Sequence, residues 1–165
     1  MRAWLVRAGR AGERERWALA EGCTGGGFGG VPDLSEADTR ADVLAEILRG
    51  LGPIPENRAR NFAAQLWALR GRMSVGDLVV MPLKSSPHLA IGRFTGDYRY
   101  VAGEPDRTRR HRRSVDWHTA EVPRPLVHQD LLYSLGASST ICEVSRNDAA
   151  RRLDDLMHGR PDPGP

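Results

Sequence analysis

The apolar positions of this chain change period along its length, and the changes predict its elements. Ala3-Trp4-Leu5-Val6 is a short continuous apolar run ending at Gly9, the pattern of a buried strand. The charged stretch 12–21 fits either a short helix or a solvated segment, and Gly25 to Gly30, with Phe28 among its glycines, reads as a loop. Ser35 stands where a helix N-cap belongs, with Asp38 three residues on, and Leu44, Ile47, Leu48 and Leu51 follow at helical spacing. Gly52-Pro53-Ile54-Pro55 ends that helix, and a second is expected from about 56 to 69, with Phe62, Leu66 and Leu69 on one face.

Strands then take over. Gly76-Asp77 is a turn leading into Leu78-Val79-Val80-Met81, and the loop 84–88 leads into a strand from Leu89 to Phe94, with an extension through Gly96 to Tyr100 left open. His111, Arg113, Val115 and Trp117 alternate with Arg112, Ser114 and Asp116, the period of a half-buried strand. A short helix at 127–135, a strand at 140–144 and a helix at 147–158 complete the pattern. Strands and helices mix without the regular repeat of a doubly wound sheet, so the expected class is α+β: a small curved or barrel-like β-sheet flanked by helices. One domain is expected over residues 1–158, with the Pro/Gly-rich 159–165 as a linker or tail.

Composition narrows the class without naming an activity. With 40% hydrophobic and 27% charged residues the chain reads as globular, and no apolar run approaches the roughly 18 residues of a membrane span. The apolar run at the N-terminus is too short for a secretory signal, so the expected location is the cytoplasm, with Cys23 and Cys142 as reduced thiols. The formal net charge is only +3, yet of the 24 cationic side chains Lys84 is the sole lysine. Arginine suits bidentate contacts to phosphate and guanine, but GC-rich codons give the same ratio, so placement carries the argument.

Catalytic constellations find little support. Gly25 to Gly30 satisfies G-x-G-x-x-G, but Val31-Pro32-Asp33 intervenes before any helix, and Asp33 and Glu36 would repel phosphates. Lys84 follows Pro82 and Leu83, so the (D/E)-x-K pair of a metal-dependent nuclease is not formed. No serine lies in G-x-S-x-G, and the histidines and cysteines show no closely spaced ligand pair. The expectation for these 165 residues is a non-enzymatic module with no metal and no cofactor. Binding chemistry is denser. Arg107, Arg109, Arg110, Arg112 and Arg113 lie within seven positions, between Tyr98 and Tyr100 on one side and Trp117 on the other. Concentrated arginine beside aromatic rings is the footprint of phosphate contact plus stacking.

An ordered set of segments also resembles a known family. It comprises Trp4-Leu5-Val6-Arg7-Ala8-Gly9, the glycine segment leading to Asp33-Leu34-Ser35, Met73-x-x-Gly76-Asp77-Leu78-Val79-Val80, and Ile91-Gly92-x-Phe94-x-Gly96-x-Tyr98-x-Tyr100. His111-Arg112-Arg113-x-Val115-x-Trp117 and Leu135-Gly136 before Thr140 continue it. Together, over roughly residues 3–144, these resemble the N-terminal DNA-reading domain of Mrr-type, modification-dependent restriction endonucleases, similar to the PUA superfamily with its EVE, YTH, ASCH and SRA modified-base readers. The resemblance implies a PUA-like small barrel that accepts a modified base flipped from double-stranded DNA, here 5-methylcytosine, and directs a nuclease lying beyond Pro165. Relatives tend to carry Gly-Trp where this chain has Gly27-Phe28, which keeps the ring but loses the indole donor.

On that reading Phe28, Trp67, Tyr98 and Trp117 are expected as pocket or stacking walls, Arg7 and Ser85 as polar contacts to the base edge or its phosphate, and Lys84, Arg107, Arg109, Arg110, Arg112 and Arg113 on the DNA backbone. The alternatives are an RNA-binding module reading a modified base, a standalone enzyme acting on a nucleotide or base, and a protein-interaction module. Duplex against single-strand preference separates the first, turnover of a nucleotide the second, and salt-independent binding the third.

Overall fold

Four apolar residues in succession need cover on both faces, and the strand Ala3–Val6 (β1) finds it in the interior of a mixed sheet. The computed structural model describes all 165 residues, Met1–Pro165. Beside β1 lies Leu78–Pro82 (β3), parallel to it with Trp4 opposite Val79 and Leu5 opposite Val80. Asp77 joins the two at their starts: its carboxylate accepts from Trp4 Nε1 at 3.0 Å and from the backbone N–H groups of Arg2 and Ser74. Every other pairing is antiparallel. Cys23–Thr24 (β2), His88–Phe94 (β4), Arg99–Tyr100 (β5), His111–Pro123 (β6) and Ile141–Glu143 (β7) complete the sheet. The order is β2-β6-β4-β3-β1-β7, with β5 added to the start of β6.

β6 runs 13 residues because it serves three partners, pairing with β2 and β5 in its first half and with β4 beyond. Register shifts in β4 around Ile91 curl the sheet there into a half-barrel. Gly92 is required at that bend, since a Cβ would stand 2.3 Å from the Asp116 carbonyl oxygen.

Both faces of the sheet are covered by helices, giving the α+β architecture of a small curved sheet flanked by helices. On one face Leu5, Val80 and Ile91 pack against Gln129–Ser134 (α4) and Ala149–Met157 (α5). On the other, Trp4, Val6, Val79, Phe94 and Val115 meet the turn Ala68–Arg72 that continues Glu56–Trp67 (α3), while Glu15–Glu21 (α1) sets Trp17 and Ala18 over Met81 and Ala90. Arg40–Leu51 (α2) lies outermost, its Val43 and Ile47 on Ala63 and Leu66 of α3.

Local differences from the sequence pattern have local causes. The charged stretch 12–21 holds a helix, α1, over its second half. Thr39, not Ser35, caps α2, its hydroxyl accepting from Asp42 N. Ser35 is instead captured by Asp33, whose carboxylate takes both its N–H and its hydroxyl in a tight turn. β4 stops at Phe94, and Arg99–Tyr100 turns away to pair with β6, so the extension to Tyr100 is not one strand. The expected helix 127–135 is a 3₁₀ turn at Arg124–Leu126 followed by α4. Asn147 and Asp148 precede α5 in left-handed conformations, because the Asn147 amide donates to the Asp130 carbonyl and Ser134 hydroxyl. Cys23 and Cys142 are separate free thiols.

The tail expected at 159–165 is docked rather than loose. Arg152, with 1% of its side chain exposed, donates Nε and Nη2 to the Asp162 carboxylate at 2.7 and 2.9 Å and both Nη groups to Asp130. Burial opposes ionisation of Asp162, but bonds from Arg152 and from the amides of His128 and Gly164 outweigh it and hold its pKa down to about 2. An unfolded Asp titrates near 3.8, so this pair stabilises the fold fully above that pH and loses its contribution as pH falls towards 2. Asp162→Ala should cost about 3 kcal/mol in urea unfolding at neutral pH, because it strips a partner from a buried charge. Wild type and variant should converge in stability towards pH 2; a pH-independent gap would refute the linkage.

Candidate functional site

Parallel pairing of β1 and β3 puts their C-terminal ends side by side, so Arg7 and Lys84 leave the sheet at one edge. The segment Gly136–Thr140, which enters antiparallel β7, closes on the same place, with Arg7 N donating to Thr140 O at 2.8 Å. Gly9 and Gly12, at φ +98° and +77°, turn the chain back from β1 towards α1, and a Cβ at Gly12 would stand 2.3 Å from Glu15 Oε2 and 3.1 Å from Lys84 Cβ. Glu15, at the start of α1, locks the arrangement by accepting from Lys84 N at 2.6 Å and from the Ser85 hydroxyl at 2.7 Å.

Two concavities flank this turn. One, of about 380 Å³, is lined by Arg7, Gly9, Arg10, Lys84, Ser138 and Thr140 among others. The second, a wider groove of about 950 Å³, carries Arg16, Trp17, Ser85 and Arg109. Arg14 lies between them in the fold. Its residue is 8% exposed, its Nη2 reaches the Arg7 carbonyl oxygen at 3.3 Å, and its Nε has no partner. No carboxylate bonds it: burial pushes its pKa down, and Glu13 and Asp106 favour its charge only from a distance.

The glycine loop rests against this arginine. Gly27, at φ +79°, lacks the Cβ that would sit 3.3 Å from Arg14 Nη1, and Gly25 lies so close to β6 that a Cβ would be 2.1 Å from the His111 carbonyl oxygen. Phe28 follows in the left-handed region at φ +53°, a conformation that costs a non-glycine residue about 1 kcal/mol or more. Its ring meets Phe62 edge-on at 5.2 Å. A buried relay fixes the far end of the loop: His111 Nε2 donates to Val31 O, His111 Nδ1 accepts from the Tyr98 hydroxyl at 2.7 Å, and that oxygen accepts from Leu34 N. Burial depresses the His111 pKa and raises that of Tyr98, so both stay neutral in this relay.

The arginine run is divided, with two of its five members facing inward, which narrows the expected backbone-contact face. Arg113 is 2% exposed and donates to the carbonyls of Leu69, Gly96 and Arg70, while Arg112 is buried, donates to the Arg109 carbonyl and Glu104, and stacks 5.0 Å from Trp17. A strand that carries β2, β5 and β4 has little exposed face, so alternating arginines become struts for loop carbonyls. Arg107, Arg109 and Arg110 keep part of their surface in solvent, though Arg107 and Arg110 also hold the carbonyls of Gly29 and Glu104.

The expected pocket walls are likewise divided. Phe28, Tyr98 and Trp67 border the core cluster beneath α2 and α3, and Trp117 packs between two other clusters with its indole N–H donated to Ala18 O. Tyr98 and Trp117 have their polar atoms fully engaged inside. Arg7 and Lys84 share the smaller recess, whereas Ser85 faces the wider groove, so the six expected pocket residues do not line one cavity. Arg7 itself donates to the carbonyls of Leu135 and Ala137. Arg10, Arg14 and Trp17 are additions from the structure; the positive-φ glycines bracketing Arg10 were their only trace in the sequence. No three His, Cys, Asp or Glu side chains converge as a metal-ligand set, and no helix is long and apolar enough to cross a membrane.

A family model described as Domain of unknown function (DUF8426) matches residues 4–141. No curated protein and no solved structure matches the chain.

The cost of Arg14 is measurable. An uncompensated buried cation is replaced without loss, or with a gain, by an apolar side chain of similar length. Arg14→Met should therefore unfold at the same or higher denaturant concentration, gaining up to about 1 kcal/mol. A loss of several kcal/mol would make Arg14 a structural strut instead.

Proposed function

We propose that this chain, which belongs to the DUF8426 family, is a DNA-binding module that reads a methylated base, 5-methylcytosine, in duplex DNA by taking the base out of the stack. The observation that carries the reading is the junction of the strained glycine loop with Arg14: Gly27 lies against a buried guanidinium that no carboxylate bonds, and the next residue, Phe28, is held in a left-handed backbone conformation. Backbone strain and an unpaired buried charge both cost stability, and they are kept together where a ligand offsets them.

A flipped base has the matching chemistry. It presents a π-face to a ring such as Phe28 and carbonyl or ring-nitrogen acceptors to a guanidinium. Extruding a base costs a few kcal/mol. Stacking on an aromatic ring returns about 1–3 kcal/mol and phosphate contacts the remainder. A single methyl adds only ~0.8 kcal/mol by burial, so discrimination rests on the fit of the loop around it. The likeness of the Trp4–Gly9, Met73–Val80 and Ile91–Tyr100 segments to the modified-DNA-reading domains of Mrr-type endonucleases, and through them to the PUA superfamily, points the same way. The α+β half-barrel is compatible with that likeness.

Binding to matched duplexes bearing 5-methylcytosine, 5-hydroxymethylcytosine, N6-methyladenine or no modification tests the reading, with single-stranded RNA as competitor. The methylated duplex should bind several-fold more tightly than the plain one, and Phe28→Ala should erase that preference while leaving general duplex affinity. Stronger binding to single-stranded RNA, or no duplex binding at all, would overturn it. Equal loss on both duplexes in Phe28→Ala would make that ring structural.

A further inference from the structure

The smaller recess is lined by Arg7, Arg10 and Lys84 and by no carboxylate. Elsewhere roughly half of the arginines of this chain are paired; Arg49, Arg60, Arg72, Arg93, Arg151 and Arg160 each meet a carboxylate. Around the recess, Arg7, Arg10, Arg14 and Lys84 meet none. Two carboxylates stand at its edge, already engaged by the chain's own donors: Glu13, which lies against Gly9, accepts from the Ala11 amide, and Glu15 accepts from the Lys84 amide and from the Ser85 amide and hydroxyl. No acidic residue is among those lining the cavity, and Ser138 and Thr140 are.

The four cations differ in how they are held. Arg7 is clamped by the carbonyls of Leu135 and Ala137, so its charge is fixed at the wall. Arg14 is anchored behind it on the Arg7 carbonyl. Arg10 and Lys84 are exposed, and neither side-chain cation has an internal partner, so both are free to close on a ligand in the recess. A volume of about 380 Å³ admits a phosphate group with the sugar atoms next to it. Two fixed positive charges behind two mobile ones, with hydroxyl donors at the rim, constitute an oxyanion seat.

We infer that this recess is a phosphate seat, in which Arg10 and Lys84 grip a backbone phosphodiester of bound DNA against the fixed charges of Arg7 and Arg14. The source of the ligand rests on the DNA-binding reading above; its chemical class rests on the recess alone. Arg14 links the seat to the glycine loop, since it bonds the Arg7 carbonyl on one side and lies against Gly27 on the other, so a strand whose phosphate is held here is positioned near that loop. The seat also adds a cationic contact surface to a chain whose longest arginine run turns two of its five members inward.

The test uses the full chain with two probes, inorganic pyrophosphate followed by amide and arginine side-chain NMR shifts, and an unmodified duplex titrated across salt concentrations. Wild type should show shifts at Arg10 and Lys84. The double variant Arg10→Ala/Lys84→Ala, both positions exposed, should melt as wild type does and bind pyrophosphate about tenfold or more weakly. On duplex its slope of log affinity against log salt should fall by about two, near 0.9 for each lost contact. Unchanged pyrophosphate affinity and unchanged slope would overturn the seat. Loss of pyrophosphate binding in a chain that binds no duplex would support the seat and overturn the DNA reading instead.

Discussion

The parallel pairing of β1 with β3 is the constraint on which the rest depends. It joins segments more than 70 residues apart, and the Asp77 carboxylate that takes the Trp4 indole and two backbone amides fixes its register. Everything between the two strands must cross over one face of the sheet, which is how the glycine loop and the α2–α3 layer come to lie there. Because the strands run the same way, their ends deliver Arg7 and Lys84 to one edge. An antiparallel arrangement would have sent them to opposite ends, and neither the recess nor its neighbouring groove would exist.

At that edge the molecule departs from ordinary economy. Most buried polar groups here are satisfied with care: Arg152 is met by two carboxylates, Arg113 by three carbonyls, and His111 by a carbonyl and a hydroxyl. Arg14 is not, and Gly27, which lies against it, is followed by a phenylalanine held at positive φ. Such local costs are supported by the surrounding packing and recur where ligands bind. The rigid elements around them, the Glu15 clamp on Lys84–Ser85 and the His111–Tyr98 relay on Val31–Leu34, leave the loop little freedom beyond its own glycines.

Much of the architecture was legible in the sequence because strands β1, β3 and β4 are apolar runs bounded by turn residues, and α2 and α3 carry their apolar stripes at helical spacing. The α+β class followed from their irregular order. Boundaries set by side-chain competition were not legible: Asp33 takes Ser35 away from a capping role, and Asn147 holds the chain off α5 for two residues. The site was read less well for one physical reason. A run such as Arg107 to Arg113 is assigned to solvent by charge alone, yet its last two arginines lie on a strand shared by three partners, which buries them and uses them as multivalent donors to loop carbonyls. Arg10 and Arg14 were invisible because their meaning comes from strand ends that meet only in three dimensions. Lys84 and Arg7 were singled out for contact to DNA, and their shared edge is where the open cationic recess lies.

A nucleic-acid interface at this edge of the sheet would answer its ligand residue by residue. Amide chemical-shift mapping on titration with a duplex carrying one 5-methylcytosine reads that response. Perturbations should concentrate at residues 7–16, 25–30, 84–85 and 136–140, and should extend further into 25–30 with the methylated duplex than with its unmodified match. Perturbations confined to α4, α5 and the docked tail, or none at any segment, would contradict it.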